Sequence, residues 1–313
     1  MHAYLARRLL GSVVTIWIIV SASFLIIRLA PGDPAQIWLG DYATPDLLQV
    51  TRARMGLDRP LPVQYLTYLG SVMRGDLGES LRSRKPVAGE IRDQLPYSLD
   101  LMVTSTLLSV AIGLTAGVIA AVKRNSMVDV LAMSVALFFL SIPAFWLGLL
   151  LFILFSAHLE WFPLIGAGNR ASPANLAYHL VLPTLALGSR IGAVVARMTR
   201  SSVIEALSED FVRPARAKGL SEPRVWVRHA LRNAATPILS IVGIQVNALM
   251  GGSAVVEAVF SRPGVGNLLI VAISTRDYPM VQGAIFLIAV GVVLVNLLTD
   301  VAYGLADPRI RYA

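Results

Sequence analysis

Side chains able to do chemistry are sparse in this chain and gather in one stretch. DFVRPARAKGLSEPRVWVRHALRN, residues 210–233, sets Arg213, Arg216, Lys218, Arg224, Arg228 and Arg232 against Asp210 and Glu222. Cations at that density attract anionic surfaces, from nucleic acid to lipid headgroups. Catalytic patterns are missing. The four histidines, His2, His158, His179 and His229, are scattered without ligand spacing. There is no cysteine, which excludes disulfides and thiolate catalysis. No G-x-x-x-x-G-K-[ST] loop cradles a nucleotide phosphate, and neither H-E-x-x-H nor G-x-S-x-G occurs. Gly188 and Ser189 are adjacent and so do not make the Gly-x-Ser element of an intramembrane protease.

The basic stretch reads as helix, turn, helix. An apolar helix before it continues through RSSVIEALSEDF, with Leu207 and Phe211 on one face and Ile204 nearby. Pro214 disfavours helical geometry at Arg213 but suits a first turn, which predicts a break near Arg213 and a short helix PARAKG. Gly219 supplies the stop. Ser221 caps a second start, with Pro223 in its first turn. Arg224, Arg228 and Arg232 then fall at i, i+4 and i+8 as one basic stripe, while Val225, Trp226 and Ala230 take other faces. Ala215, Ala217 and Gly219 give a small-residue surface suited to a groove on another protein. A topology-setting loop lying on anionic headgroups, at about 1 kcal/mol per cation, fits the same residues. These residues alone leave both readings open. DNA recognition is disfavoured, because both helices are tethered to apolar runs and would not enter a major groove easily.

Those runs set the class. Apolar residues make up 56% of the 313 and charged residues 15%, with a mean hydropathy of +0.67; soluble domains carry about 25% charged residues. Six stretches, roughly 9–29, 100–122, 129–156, 177–198, 234–257 and 279–302, are long and apolar enough to span a bilayer. The first is uncharged over 19 residues, Leu9 to Ile27, which is too long for a signal-peptide core and predicts a retained span. Basic residues flank alternate spans: Arg7 and Arg8, Lys123 and Arg124, the 210–233 stretch, and Arg309 and Arg311. Loops near 157–176 and 258–278 carry few, so both termini are predicted to be cytoplasmic, and the net charge of +8 marks orientation rather than nucleic-acid binding.

Within the long loop 30–98, TPDLLQVTRARMG has Thr44 as cap and Pro45 at the first helical position. LPVQYLTYLGSVMRG places Leu61, Tyr65, Leu66 and Leu69 on one face, and PVAGEIRDQLP predicts a third short helix. Pro143 and Pro183 interrupt spans three and four and should kink them. Arg190 lies inside span four and is expected to snorkel to the cytoplasmic side. The small residues of VNALMGGSAVV are expected to serve close helix packing.

EALSEDFVRPARAKGLSEPRVWVRHALRNAATPIL resembles the EAA loop of ABC importer permeases, in the form of the dipeptide, oligopeptide and nickel branch. Glu205, Asp210, Phe211, Val212, Ala215, Ala217, Lys218, Gly219, Leu220, Arg228, His229, Ala230, Arg232 and Asn233 match that pattern. RLAPGDPA, MGLDRPLPVQY, GDLGESL, VFSRPGVGNLL, RDYPMVQG and DPRIR look like the first permease subunit of the same branch, in order along nearly the whole chain. Pro214 departs from the threonine of many members and is compatible with a helix start.

The resemblance implies an all-α polytopic membrane protein in a bacterial inner membrane. It would be one type I importer transmembrane domain over 1–313, with a helical extracytoplasmic insertion at 30–98 and a cytoplasmic coupling loop at 200–235. It implies a heterodimer with a second homologous permease, two cytoplasmic ATPases that use ATP and Mg, and an extracytoplasmic solute-binding protein. ATPase coupling would fall to Glu205, Asp210, Phe211, Pro214, Ala215, Ala217, Lys218 and Gly219, with Arg224, Arg228 and Arg232 beside them. No cofactor or metal is implied for this chain, and no nucleic acid. The implied cargo is a peptide, with nickel or a metal chelate as the alternative. An energy-independent channel or secondary transporter would need ionisable residues at midplane, of which the chain has almost none.

Overall fold

The computed structural model describes residues 2–29, 32–210 and 212–306. Phe211, Ala30 and Pro31, and the terminal stretch with Arg309 and Arg311, lie outside the described residues, as do the side chains of Arg7 and Arg8. The helices in order are α1 (His2–Leu29), α2 (Pro34–Leu39), α3 (Pro45–Arg54), α4 (Leu61–Met73), α5 (Val87–Val122), α6 (Met127–Ser141) and α7 (Ala144–Leu151). A π-helical winding, Phe152–His158, extends α7, and α8 (Pro173–Ser208) follows. Then come α9 (Val212–Ala217), α10 (Glu222–Arg224), a second π winding over Val225–Ala230, α11 (Leu231–Asn233), α12 (Ala235–Val259), α13 (Val265–Ser274) and α14 (Tyr278–Ala306). The described residues contain no strand, only an isolated bridge between Glu79 and Pro86. Among the described residues five helices are long and apolar enough to cross a bilayer, and α6 with α7 makes a sixth if the bent pair counts as one span.

The chain falls into two compact units. The first joins Met1–Pro96 to Gly264–Val293. Thr44 caps α3 by accepting the Leu47 N–H, and Pro45 occupies its first turn, as the residues require. Two expectations fail in this unit, one of them only in part. PVAGEIRDQLP does not form a separate helix but opens α5, which runs on through Pro96. A proline inside a helix removes one N–H donor, yet ending the helix would strip partners from several backbone groups. On α4 the expected face is met only in half: Tyr65 and Leu69 are half-buried, while Leu61 and Leu66 stay 55% and 67% exposed. Tyr65 and Tyr68 turn inward, both rings 5.4 Å from Phe24, and Tyr65 hydrogen-bonds Ser21 at 2.6 Å. Aromatic stacking with a satisfied hydroxyl outweighs the aliphatic stripe. GDLGESL and RDYPMVQG meet: buried Asp277 accepts from the Ser80 hydroxyl and from the Leu81 N–H at 3.0 Å. Around them Ile27, Val87, Ile91, Met280 and Val281 form an apolar core.

The second unit comprises Tyr97–Pro263 and Leu294–Ala313, and α8 is its axis. Leu187, Ile191 and Val195 of α8 pack with Leu101 of α5, with Leu249 and Val256 of α12 and with Phe260 just after it. The contact with α5 is close because Gly113 and Gly117 face α8; a Cβ on Gly113 would stand 2.5 Å from Val195. The expected break at Pro143 is sharp, with the α6 and α7 arms bent by 96°. At Pro183, by contrast, α8 continues as a helix. The expected packing role of VNALMGGSAVV is not met at its centre, where a Cβ on Gly251 or Gly252 would touch nothing within 4 Å. Gly243, just before that stretch, takes the close contact instead, against Thr299.

Candidate coupling surface

Eight residues past the span predicted to end at 198, α8 still carries an amphipathic face. Val203 and Ala206 are buried with Ala121, Ala230, Ala234 and Ile238, while Glu205 on the opposite face is exposed. The helix stops at Ser208, Glu209 turns extended, and Asp210 is exposed.

The short helix α9 begins two residues earlier than expected, at Val212, which puts Pro214 within its first turns. Val212 and Ala215 are 1% and 4% exposed. They share one face, three residues apart, and fix the helix to the second unit. Ala215 therefore does not belong to the outward surface on which the sequence placed it. That surface consists of Arg213, Pro214, Arg216, Ala217 and Lys218, all exposed. Gly219 ends it with φ +75°. Its N–H donates to the Arg216 carbonyl at 2.9 Å, and the Leu220 N–H reaches the Ala215 carbonyl at 3.4 Å. This is the left-handed stop that glycine adopts without penalty.

Ser221 stands at the cap position of α10 but makes no side-chain cap bond. Glu222 holds the turn instead. Its carboxylate accepts from Arg216 Nε at 2.7 Å, Arg216 Nη2 at 3.2 Å and the Trp226 indole N–H at 2.9 Å. The Arg216 guanidinium, then the indole, keep the Glu222 carboxyl below its usual range. Sequence reasoning missed this clasp, although an acid at a first helical turn with an aromatic four residues on is a readable signal. Val225 and Ala230 are buried and Trp226 half-buried. Arg224, Arg228 and Arg232 remain exposed, with no side-chain hydrogen bond or ion pair to a described residue. The π winding between them leaves the three on one side, because a four-residue step falls short of a full π turn by about as much as it overshoots an α turn.

A second polar element went unread. Arg200 of α8 grips Asp129, the acid in the first turn of α6, at 2.6 and 2.8 Å. Asp129 also accepts the Asn125 N–H at 2.9 Å. Among the described residues no group of three or more His, Cys, Asp or Glu could hold a metal ion.

The arrangement presents a small basic helix, anchored by Val212 and Ala215, beside a bundle of apolar helices. Comparisons with known proteins give the family. Residues 113–312 match the family described as binding-protein-dependent transport system inner membrane component, and residues 1–102 match the N-terminal region model of such membrane components. The chain is 43% identical over 309 residues to the glutathione transport system permease protein GsiC of Escherichia coli K12, covering 99% of each chain. The GsiC of Escherichia coli O6:H1 is equally similar, at 43% over 309 residues. Among solved structures, the fold resembles an inward-facing methionine ABC transporter, MetNI, with a TM-score of 0.58 at 20% identity, over 69% of this chain and 96% of that one. The chain thus belongs to the inner-membrane permease family of binding-protein-dependent ABC importers, in its peptide and nickel branch.

Proposed function

We propose that this permease imports peptides as one half of a heterodimeric pathway, with its coupling loop, residues 200–235, seated on a cytoplasmic ATPase. The observation that carries the coupling assignment is α9 itself. It is anchored inward by Val212 and Ala215, exposed outward at Pro214, Ala217 and Lys218, and ended by a left-handed Gly219. Glu205 and Asp210 flank it on exposed positions, suited to pair with basic groups of the ATPase. Two such ATPases would use ATP and Mg, and their closure would move α9 and switch access across the membrane. Arg224, Arg228 and Arg232 would meet the ATPase rim or anionic headgroups. Both termini would be cytoplasmic. The 30–98 insertion would face a solute-binding protein on the other side. A peptide cargo is supported by the glutathione permeases that share 43% identity over nearly the full length.

The test is crosslinking in the assembled transporter. A photoreactive residue at Lys218 should capture an ATPase subunit, and one within 45–90 should capture the binding protein. Capture of lipid alone at Lys218 would reduce the loop to an orientation signal.

A further inference from the structure

Arg190 lies in the middle of α8, within the predicted span, and is exposed. It makes no hydrogen bond or ion pair with a described residue. A guanidinium at bilayer depth costs about 2.5–3.5 kcal/mol on insertion scales and is found facing a cavity or an ionic partner. Here it lines a cleft of ≈ 360 Å³ beside the α6–α7 bend, with Ser141, Pro143, Gln245 and Gly252. Gly252 presents no side chain, and a Cβ there would meet nothing within 4 Å, so the space in front of the cation is open. Arg197 repeats the pattern, exposed and without a partner among the described residues. Seven residues along an α-helix return a side chain to nearly the same face, about 10 Å further on. Most other residues of α8 in this region, including Leu187, Gly188, Ile191, Gly192, Ala193 and Val195, are buried.

Two unneutralised guanidinium groups in line, the first in a cleft with an amide and a hydroxyl, match a carboxylate on a mobile solute. Guanidinium binds carboxylate through two parallel N–H donors. Residues serving only lipid packing would not need a cation at this depth. We propose that Arg190 binds the carboxylate of the transported solute, with Gln245 beside it, and that Arg197 takes the carboxylate over on its way along α8. This rests on the permease reading and adds to it that the cargo is handled as an anion. A lipid phosphate offers similar chemistry, so the test separates the two.

The chain has no cysteine, so Gln245→Cys would be its sole thiol. In the complete transporter, labelling of this subunit is followed by mass spectrometry with an anionic sulfonatoethyl and a cationic trimethylammonioethyl methanethiosulfonate. The anionic reagent should react faster, in lipid nanodiscs and in neutral detergent alike. Arg190→Gln should lower the anionic-to-cationic rate ratio about tenfold, and Arg190→Lys should keep most of it. Uptake of a labelled dipeptide should fall about tenfold in Arg190→Gln. A ratio indifferent to Arg190, or a thiol at 245 that stays inert while Ser221→Cys reacts, overturns the proposal. An anionic preference seen only in detergent assigns the cleft to a headgroup phosphate and also overturns it. If the parent transporter imports no peptide but the labelling ratio responds to Arg190, the peptide reading fails and the anion site stands. If Arg190→Gln does not assemble, the comparison of parent with Arg190→Lys decides: loss of the ratio with the charge retained would sink the site.

Discussion

Arg200 closes on Asp129 with two parallel bonds of 2.6 and 2.8 Å, tying the first turn of α6 to α8 one helical stretch before the coupling surface. Asp129 is 4% exposed, so its charge depends on that partner. Removing one member of this part-buried pair forfeits two charge-assisted hydrogen bonds and costs about 1.5–3 kcal/mol. Arg200 is partly accessible, which places the effect near the lower end. Asp129→Ala or Arg200→Ala should lower the thermal midpoint of the purified complex by several degrees. Asp129→Leu with Arg200→Met should recover much of the loss. Midpoints unchanged in both single variants would show the pair to be energetically silent.

Gly219 sits at φ +75° with open space where a Cβ would go. A substitution there is opposed by the backbone alone, by roughly 1–2 kcal/mol for a β-branched residue. Gly219→Val should therefore leave membrane insertion intact while misdirecting α9, with loss of ATPase retention or of uptake per ATP hydrolysed. Gly219→Asn, which tolerates the left-handed region, should stay near the parent. Equal behaviour of valine, asparagine and glycine would mean that the turn is not needed for coupling.

Gly113 and Gly117 are a different case, because their constraint is contact. A Cβ on Gly117 would stand 2.6 Å from the Ala196 carbonyl and from Thr199. Gly113→Leu or Gly117→Val should separate α5 from α8 and sharply reduce the amount of folded subunit in detergent. Gly251→Ala, which meets nothing in this chain, should be recovered at parental yield. Size-exclusion profiles of the three variants decide it.

Orientation is checked by reporters. Fusions at Asp76 and at Ser221 should report opposite sides of the membrane, as the distribution of Lys and Arg requires. The same side for both would remove the cytoplasmic assignment of the 200–235 loop.

The purified chain alone should bind no ATP, since it has no phosphate-cradling loop. Equilibrium binding of a labelled nucleotide at one mole per mole of isolated subunit would contradict this.

What the sequence made legible was what is local. Apolar run length located the spans to within a few residues, except where α5 and α8 extend well beyond the apolar part. Proline and glycine placed α9 and its stop to within two residues. What it hid depends on partners far along the chain. Asp129 and Arg200 each look like ordinary flanking charges until folding brings them together, 71 positions apart. Ser80 and Asp277 meet across 197 positions. Ala215 looked outward because small residues fit a docking surface and an internal seam equally well; only the position of Val212 decides. On α4 the expected face held Tyr65 but not Tyr68, whose place beside Phe24 depends on a contact far along the chain. Proline was ambiguous for a related reason: Pro143 breaks the helix, whereas Pro96 and Pro183 are carried inside one, and the difference lies in the surroundings.

The clasp around Glu222 gives the proposed coupling surface a built-in optical probe. The Trp226 indole donates to the carboxylate that also holds Arg216 of α9. Displacing α9 would pull on Arg216, disturb Glu222 and change the polarity felt by the indole. With Trp17, Trp38, Trp146 and Trp161 replaced by phenylalanine, the emission of this subunit would come from Trp226 alone. The turnover of the importer could then be followed as a change in colour at the joint itself, without a label.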